Sequence, residues 1–234
     1  MSRIIVDYVW LYNNELMFKT SIVKIDARRY PDISSYIGET PRLLKDNDLE
    51  KIPDSYFYSN DKKLILLPVK IYESPFSENR YILLCEVFSD GETPHKTNKR
   101  FHLKHHKSCK KIRIKQTIFC SENEIDYNSY IDKNIQNNHS HINIIEKYIE
   151  YCLKVNIKLS DIYMSDDSSW IYEFKSNSIV TNIDDLIISM YILTILSKKN
   201  KTNFNYSDTI IFIDDNSVGN KLFDLSFYDI INLL

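Results

Sequence analysis

Hydrophobic and polar positions alternate over residues 4–12, "IIVDYVWLY", and again over 17–25, "MFKTSIVKI". Alternation of this kind is the signature of a half-buried strand, and "NNEL" between the two runs predicts a hairpin. The stretch "YPDISSYIGETPRLLKDNDLEKIPDSYFYSNDKK" is polar and turn-rich and reads mostly as loop. Two further strands are expected near 64–71 and 81–88, separated by a Ser-Pro-Phe turn, before "SDGETPHKTNK" breaks the pattern. The first ninety or so residues therefore read as a small β domain.

The second part of the chain has a different period. "NKRFHLKHHKSCKKIRIK" is strongly basic and reads as a helix running into a strand, and "TIFCSENEI" alternates like a strand. In "HINIIEKYIEYCLKVN", Ile142, Ile145, Ile149, Cys152 and Leu153 fall on one helical stripe. "SSWIYEFKS" and "DTIIFID" are expected strands. Between them "TNIDDLIISMYILTILSKK" is an expected helix, with Asn182 or Asp184 as its N-cap. The order, β-rich first and then mixed, predicts an α+β fold with domains over 1–95 and 96–234.

Composition narrows the function classes. The 234 residues are 43% hydrophobic and 26% charged, enough apolar matter for a core, and the net charge of −2 gives no global pull toward nucleic acid or an anionic membrane. Only Gly38, Gly91 and Gly219 occur, against about sixteen at average usage. Phosphate-cradling loops of the G-x-G-x-x-G or Walker type need clustered glycines, so nucleotide sites of those kinds are excluded. The four cysteines, Cys85, Cys109, Cys120 and Cys152, form no C-x-x-C pair, and the N-terminus "MSRIIVDYVWLYNNEL" lacks the apolar core of a secretory signal. Reduced thiols in a cytoplasmic setting are expected. The longest apolar run, "LIISMYILTIL", is about half the length of a bilayer span and reads as a core helix, with no membrane role.

Several segments, in this order, resemble glutamine synthetase of the eukaryotic type. "YVWLYNNELMFKTSIV" is similar to the opening hairpin of that family's β-grasp domain. "LPVKIYESPF" and "YILLCEVF" resemble its Pro-x-x-x-Phe-x-Asp-Pro-Phe and Leu-Val-Leu-Cys-Glu-Val-Phe segments. "TNKR" resembles the Thr-Asn-x-Arg that opens the catalytic domain, "FCSENEI" its Phe-Gly-x-Glu-x-Glu strand, and "SSWIYEF" the strand ending Gln-Trp-Glu-Phe. The resemblance implies an N-terminal β-grasp-like domain followed by a shortened α+β catalytic domain, and covers roughly residues 8–230.

In that family, ATP-dependent amide formation relies on divalent cations held by carboxylates, because hard cations prefer oxygen ligands. Glu122 and Glu124 match the Glu-x-Glu pair, and Glu173 matches the metal glutamate before the phenylalanine. A further ligand seven residues earlier falls on Asp166, or on Ser165 when counted forward from Cys152, within "MSD" rather than Asn-x-Glu. Glu122, Glu124, Asp166 and Glu173 are thus the candidate ligands for Mg²⁺ or Mn²⁺; drifted strand carboxylates are the plainer reading, with no cofactor. The deficits weigh more. Ile37 stands where the resemblance expects the ammonia-site aspartate, leaving only Gly38 of that motif, and Phe223 stands where a metal-ligating histidine is expected. The phosphate-contacting arginines of the family's C-terminal third are expected to be missing, and without cations to offset phosphoryl charge no ligase chemistry is expected.

Two further patterns lie in the basic stretch. His102, His105 or His106, and Cys109 recur at helical spacing, but fit no standard zinc finger. Arg100, Lys104, Lys107, Lys110, Lys111, Arg113 and Lys115 read as a solvated face, with phosphate contact as the alternative. Trp10, Trp170 and Cys152 read as core. The expectation is a catalytically inactive glutamine synthetase-like protein acting through protein partners, self-association included. Abundant Asn, Ile, Lys and Tyr, with A/T-rich codons, fit a gene captured by a large DNA virus of the poxvirus kind, placing the protein in host cytoplasm or virion. The alternatives are a metal- or nucleotide-binding remnant with a ligand-sensing role, and a nucleic-acid accessory role for residues 99–115.

Overall fold

The computed structural model describes residues 2–13, 15–25, 56–59, 62–90, 92–98, 100–101, 112–121, 130–164, 170–176, 178–213 and 221–223. The chain divides into two compact units, Met1–His105 and His106–Leu234. Their architecture is α+β: mixed and antiparallel sheet with two long helices among the described residues.

The first unit is a five-stranded sheet of order β2-β1-β5-β4-β3, built from β1 (Ser2–Tyr12), β2 (Glu15–Ile25), β3 (Tyr56–Ser59), β4 (Lys62–Glu73) and β5 (Arg80–Phe88). The expected hairpin is present. β1 and β2 pair without a register shift from Ser2↔Ile25 to Tyr12↔Glu15, and Asn13 enters the turn at φ 48°, a left-handed value that asparagine tolerates. β3 was not expected; it lies in the stretch read as loop, and its four residues are too few to show a period.

β1 runs parallel to β5, with Val6↔Tyr81 and Tyr8↔Leu83 in register. Alternation sends Ile4, Val6, Tyr8 and Trp10 of β1 to the same face as Val23, Leu64, Leu66, Leu83, Cys85 and Val87, and these form one buried cluster. The opposite face is not wet either, since Val9, Ile82 and Leu84 are almost fully buried. Asp7 shares that second face at 0% exposure. Its carboxylate accepts from Arg80 Nε at 2.6 Å and Nη2 at 2.9 Å, and from Thr20 Oγ1 at 2.6 Å. One carboxylate thus joins β2, β1 and β5, and the fork geometry specifies the parallel register.

The second unit is an antiparallel sheet of order β10-β9-β6-β8-β7, from β6 (Ile112–Ser121), β7 (Leu159–Met164), β8 (Trp170–Ser176), β9 (Asn203–Ile213) and β10 (Lys221–Phe223), with helices α1 (Tyr130–Lys154) and α2 (Ile179–Asn200). α1 buries Ile144, Ile145, Tyr148 and Cys152, and Tyr148 meets Tyr172 of β8 edge-on at 4.9 Å and 77°. The expected stripe is therefore rotated: Ile145 and Cys152 are buried, whereas Ile142 and Leu153 are 39% and 61% exposed. At about 100° per residue they lie about a third of a turn or slightly more from the line through Tyr148, whose large ring decides the packed face. Asn156, at φ 61°, ends this helix, and the Ile157 N–H returns to the Cys152 carbonyl at 2.9 Å.

α2 is capped by Ser178, whose Oγ accepts from the Thr181 N–H at 3.4 Å, not by Asn182 or Asp184. Every residue from Asn182 to Ser189 is buried, so the N-terminal half of this helix is enclosed on all sides, while its last turn, Lys198 to Asn200, is exposed. It is also longer than the apolar run suggested. Val180–Asn200 is long and apolar enough to cross a membrane by length and composition, and 67% of its most apolar stretch is buried inside the protein. Ser189 and Thr194, which interrupt the run, donate back to the carbonyls of Leu186 and Met190 at 2.7 and 2.8 Å. Asp185 accepts from the Lys158 N–H at 3.0 Å, tying α2 to the turn after α1.

Removing one partner of the Asp7–Arg80 pair leaves a charge uncompensated in the sheet. Asp7→Ala is expected to lower unfolding stability by about 3–5 kcal/mol in urea titrations, whereas Asp7→Leu combined with Arg80→Met recovers most of that loss.

Candidate functional site

Glu173, alone of the four carboxylates expected to hold a metal, lies among the described residues; Glu122, Glu124 and Asp166 fall outside them. It sits on β8 between Tyr172 and Phe174, both at 0% exposure. Since Tyr172 meets α1, alternation turns Glu173 to the sheet face away from that helix. Glu173 is itself only 8% exposed. Tyr163 of β7 donates its hydroxyl to Glu173 Oε1 at 3.5 Å, a long contact. A register irregularity between Leu159 and Asp161 lets the Ser160 hydroxyl reach the Glu173 carbonyl at 3.1 Å.

The neighbours in register matter for the chemistry. Asp161 of β7 stands opposite Glu173 on one side and Lys115 of β6 on the other. Directly opposed strand residues share a face, so the Asp161 and Glu173 carboxylates lie side by side. Among the described residues no group of three or more His, Cys, Asp or Glu is placed to hold a metal ion. Glu173 and Asp161 could supply oxygen ligands, but a hard cation needs about six, and here water would have to provide most of them.

The other sequence-derived positions are placed as follows. Ile37, Gly38, His102, His105, His106, Cys109 and the lysines at 104, 107, 110 and 111 lie outside the described residues. Phe223 is on β10, opposite Ile211 of β9. Arg113 and Lys115 are on β6, not on a helix face. Trp10 is buried in the first unit's core and Cys152 in the second's, as expected, while Trp170 is half-buried.

Arg100 was expected on a solvated basic face; instead it is committed inward. Its Nη1 donates to Glu86 Oε1, and Glu86 is only 3% exposed. Around this pair the chain folds into a clasp on β5. The His95 N–H and the Asn98 side-chain amide both donate to the Val87 carbonyl at 3.0 Å, and Phe101 meets Phe88 edge-on at 6.0 Å. Asn98 Oδ1 accepts from the Phe101 N–H at 3.3 Å, in the manner of a helix N-cap. Ahead of the clasp, the Thr93 and Glu92 amides hold the Asp90 carboxyl below the usual carboxylate range. The "LLCEVF" and "TNKR" segments, read separately in sequence, thus meet through one buried ion pair.

The two described thiols are inert by position. Burial pushes Cys85 well above the ordinary thiol value of 9.0, against the smaller opposing effect of a backbone hydrogen bond from Val9. Cys152 is likewise pushed up by burial, with a Tyr148 hydrogen bond opposing. Neither fits a nucleophile, which needs a lowered pKa.

No known family profile matches the chain, and no curated relative matches it. Solved structures do: 128 chains are similar. One is GmaS in complex with ADP, in its first conformation, with a TM-score of 0.61 at 9% identity over 93% of this chain and 54% of that one. GmaS is a glutamine synthetase-like protein, so the fold of this chain is glutamine synthetase-like. The chain spans about half the length of that neighbour, 54%, and the likeness speaks for the fold alone.

Two outcomes follow from this geometry. Arg100→Met should cost about 3–5 kcal/mol by leaving Glu86 buried without its cation, and the paired Glu86→Gln, Arg100→Met variant should cost less, read by chemical denaturation. A thiol whose folded pKa is raised keeps its stabilising share below the unfolded value and loses it as pH rises. Stability should therefore decline above pH 9.0, and native protein at pH 8 should leave Cys85 and Cys152 unalkylated by mass spectrometry until denaturant is added.

Proposed function

We propose that this chain is a glutamine synthetase-like protein without ligase activity, working through contacts with protein partners. The observation that carries the reading is the Glu173 row. The glutamate matching the family's metal ligand is 8% exposed, contacts Tyr163, and has a lysine rather than a third carboxylate at the register position beside it. The sequence adds Ile37 and Phe223 where an ammonia-orienting aspartate and a metal histidine would stand. An aliphatic and an aromatic side chain can neither take up a proton nor ligate a hard metal.

In this reading the first unit is of the β-grasp kind, supported by its tight hairpin and by the parallel pairing of β1 with β5 in a mixed sheet. The A/T-rich composition supports descent from a host gene captured by a large DNA virus of the poxvirus kind, with the product in host cytoplasm or virion as an assembly or host-interaction component. Self-association belongs to the same reading; a membrane or nucleic-acid role does not. A second reading, a divalent-metal or nucleotide-binding remnant, has one observation in its favour: the structurally similar GmaS is a complex with ADP.

Titration calorimetry of the folded protein with Mn²⁺, Mg²⁺ and Mg·ATP separates the two. The proposal expects no heat of binding and no glutamine formed from glutamate, ammonia and ATP. Saturable binding of Mg·ATP without turnover establishes the second reading, and glutamine production overturns both.

A further inference from the structure

We draw no further inference here: the strongest candidate, the outer edge of the eleven-residue strand β2 with Ile22 exposed beside it, is an apolar strand face, and nothing in the structure shows what covers it.

Discussion

A carboxylate removed from water must be met by donors or a counter-charge, and that requirement organises both units of this protein. Asp7 draws Arg80 and Thr20 onto itself, so that three strands converge on one anion. Glu86 draws Arg100 inward and folds the chain after β5 back onto that strand. Asp185 takes the Lys158 amide and fixes α2 against the end of α1. Each of these acids would be costly if left alone, since desolvating an unpaired charge costs several kcal/mol. The pairs therefore act as selectors: arrangements that separate the partners are penalised far more than the native one is favoured. Apolar burial supplies the drive to compact, and the buried ions choose which compact form results.

Glu173 is the acid of this set whose surroundings bear on function. In a metal-dependent ligase a carboxylate on the cleft side of the sheet is valuable because other carboxylates converge with it and a cation satisfies them all. Here the described neighbours are a tyrosine hydroxyl, an aspartate on the outer strand and a lysine position on the inner one. A fold of this kind constrains the satisfaction of its buried charges independently of the chemistry it hosts.

Legibility in the sequence followed the strength of the local period. The β1–β2 hairpin, β4, β5, β8 and α2 were readable because one face or the whole element is apolar over many residues. β3 and β7 were not, being only four and six residues long. The α1 stripe was read a fraction of a turn away from its true line, because Tyr148 packs inward and Leu153 does not, and periodicity alone cannot rank two neighbouring stripes. Asn182 and Asp184 have the right chemistry for an N-cap, but the helix begins earlier, at Ser178, and takes both inside. Of the candidate site, Glu173 was found by motif. The Glu86–Arg100 pair was missed, since nothing local in either segment says that an arginine read as solvent-facing will turn inward to meet an acid fourteen positions back.

The parallel pairing of β1 with β5 also bears on how the chain is born. Between Ile25, where the hairpin is complete, and Arg80, where its partner strand starts, a ribosome adding roughly 5–20 residues per second needs about three to eleven seconds. Throughout that interval the β1 side of the hairpin has an unmatched hydrogen-bonding edge, and Asp7 has no guanidinium to meet. The nascent hairpin is thus most open to wrong pairing before the rest of its sheet exists, and a holding chaperone would act on it in that window.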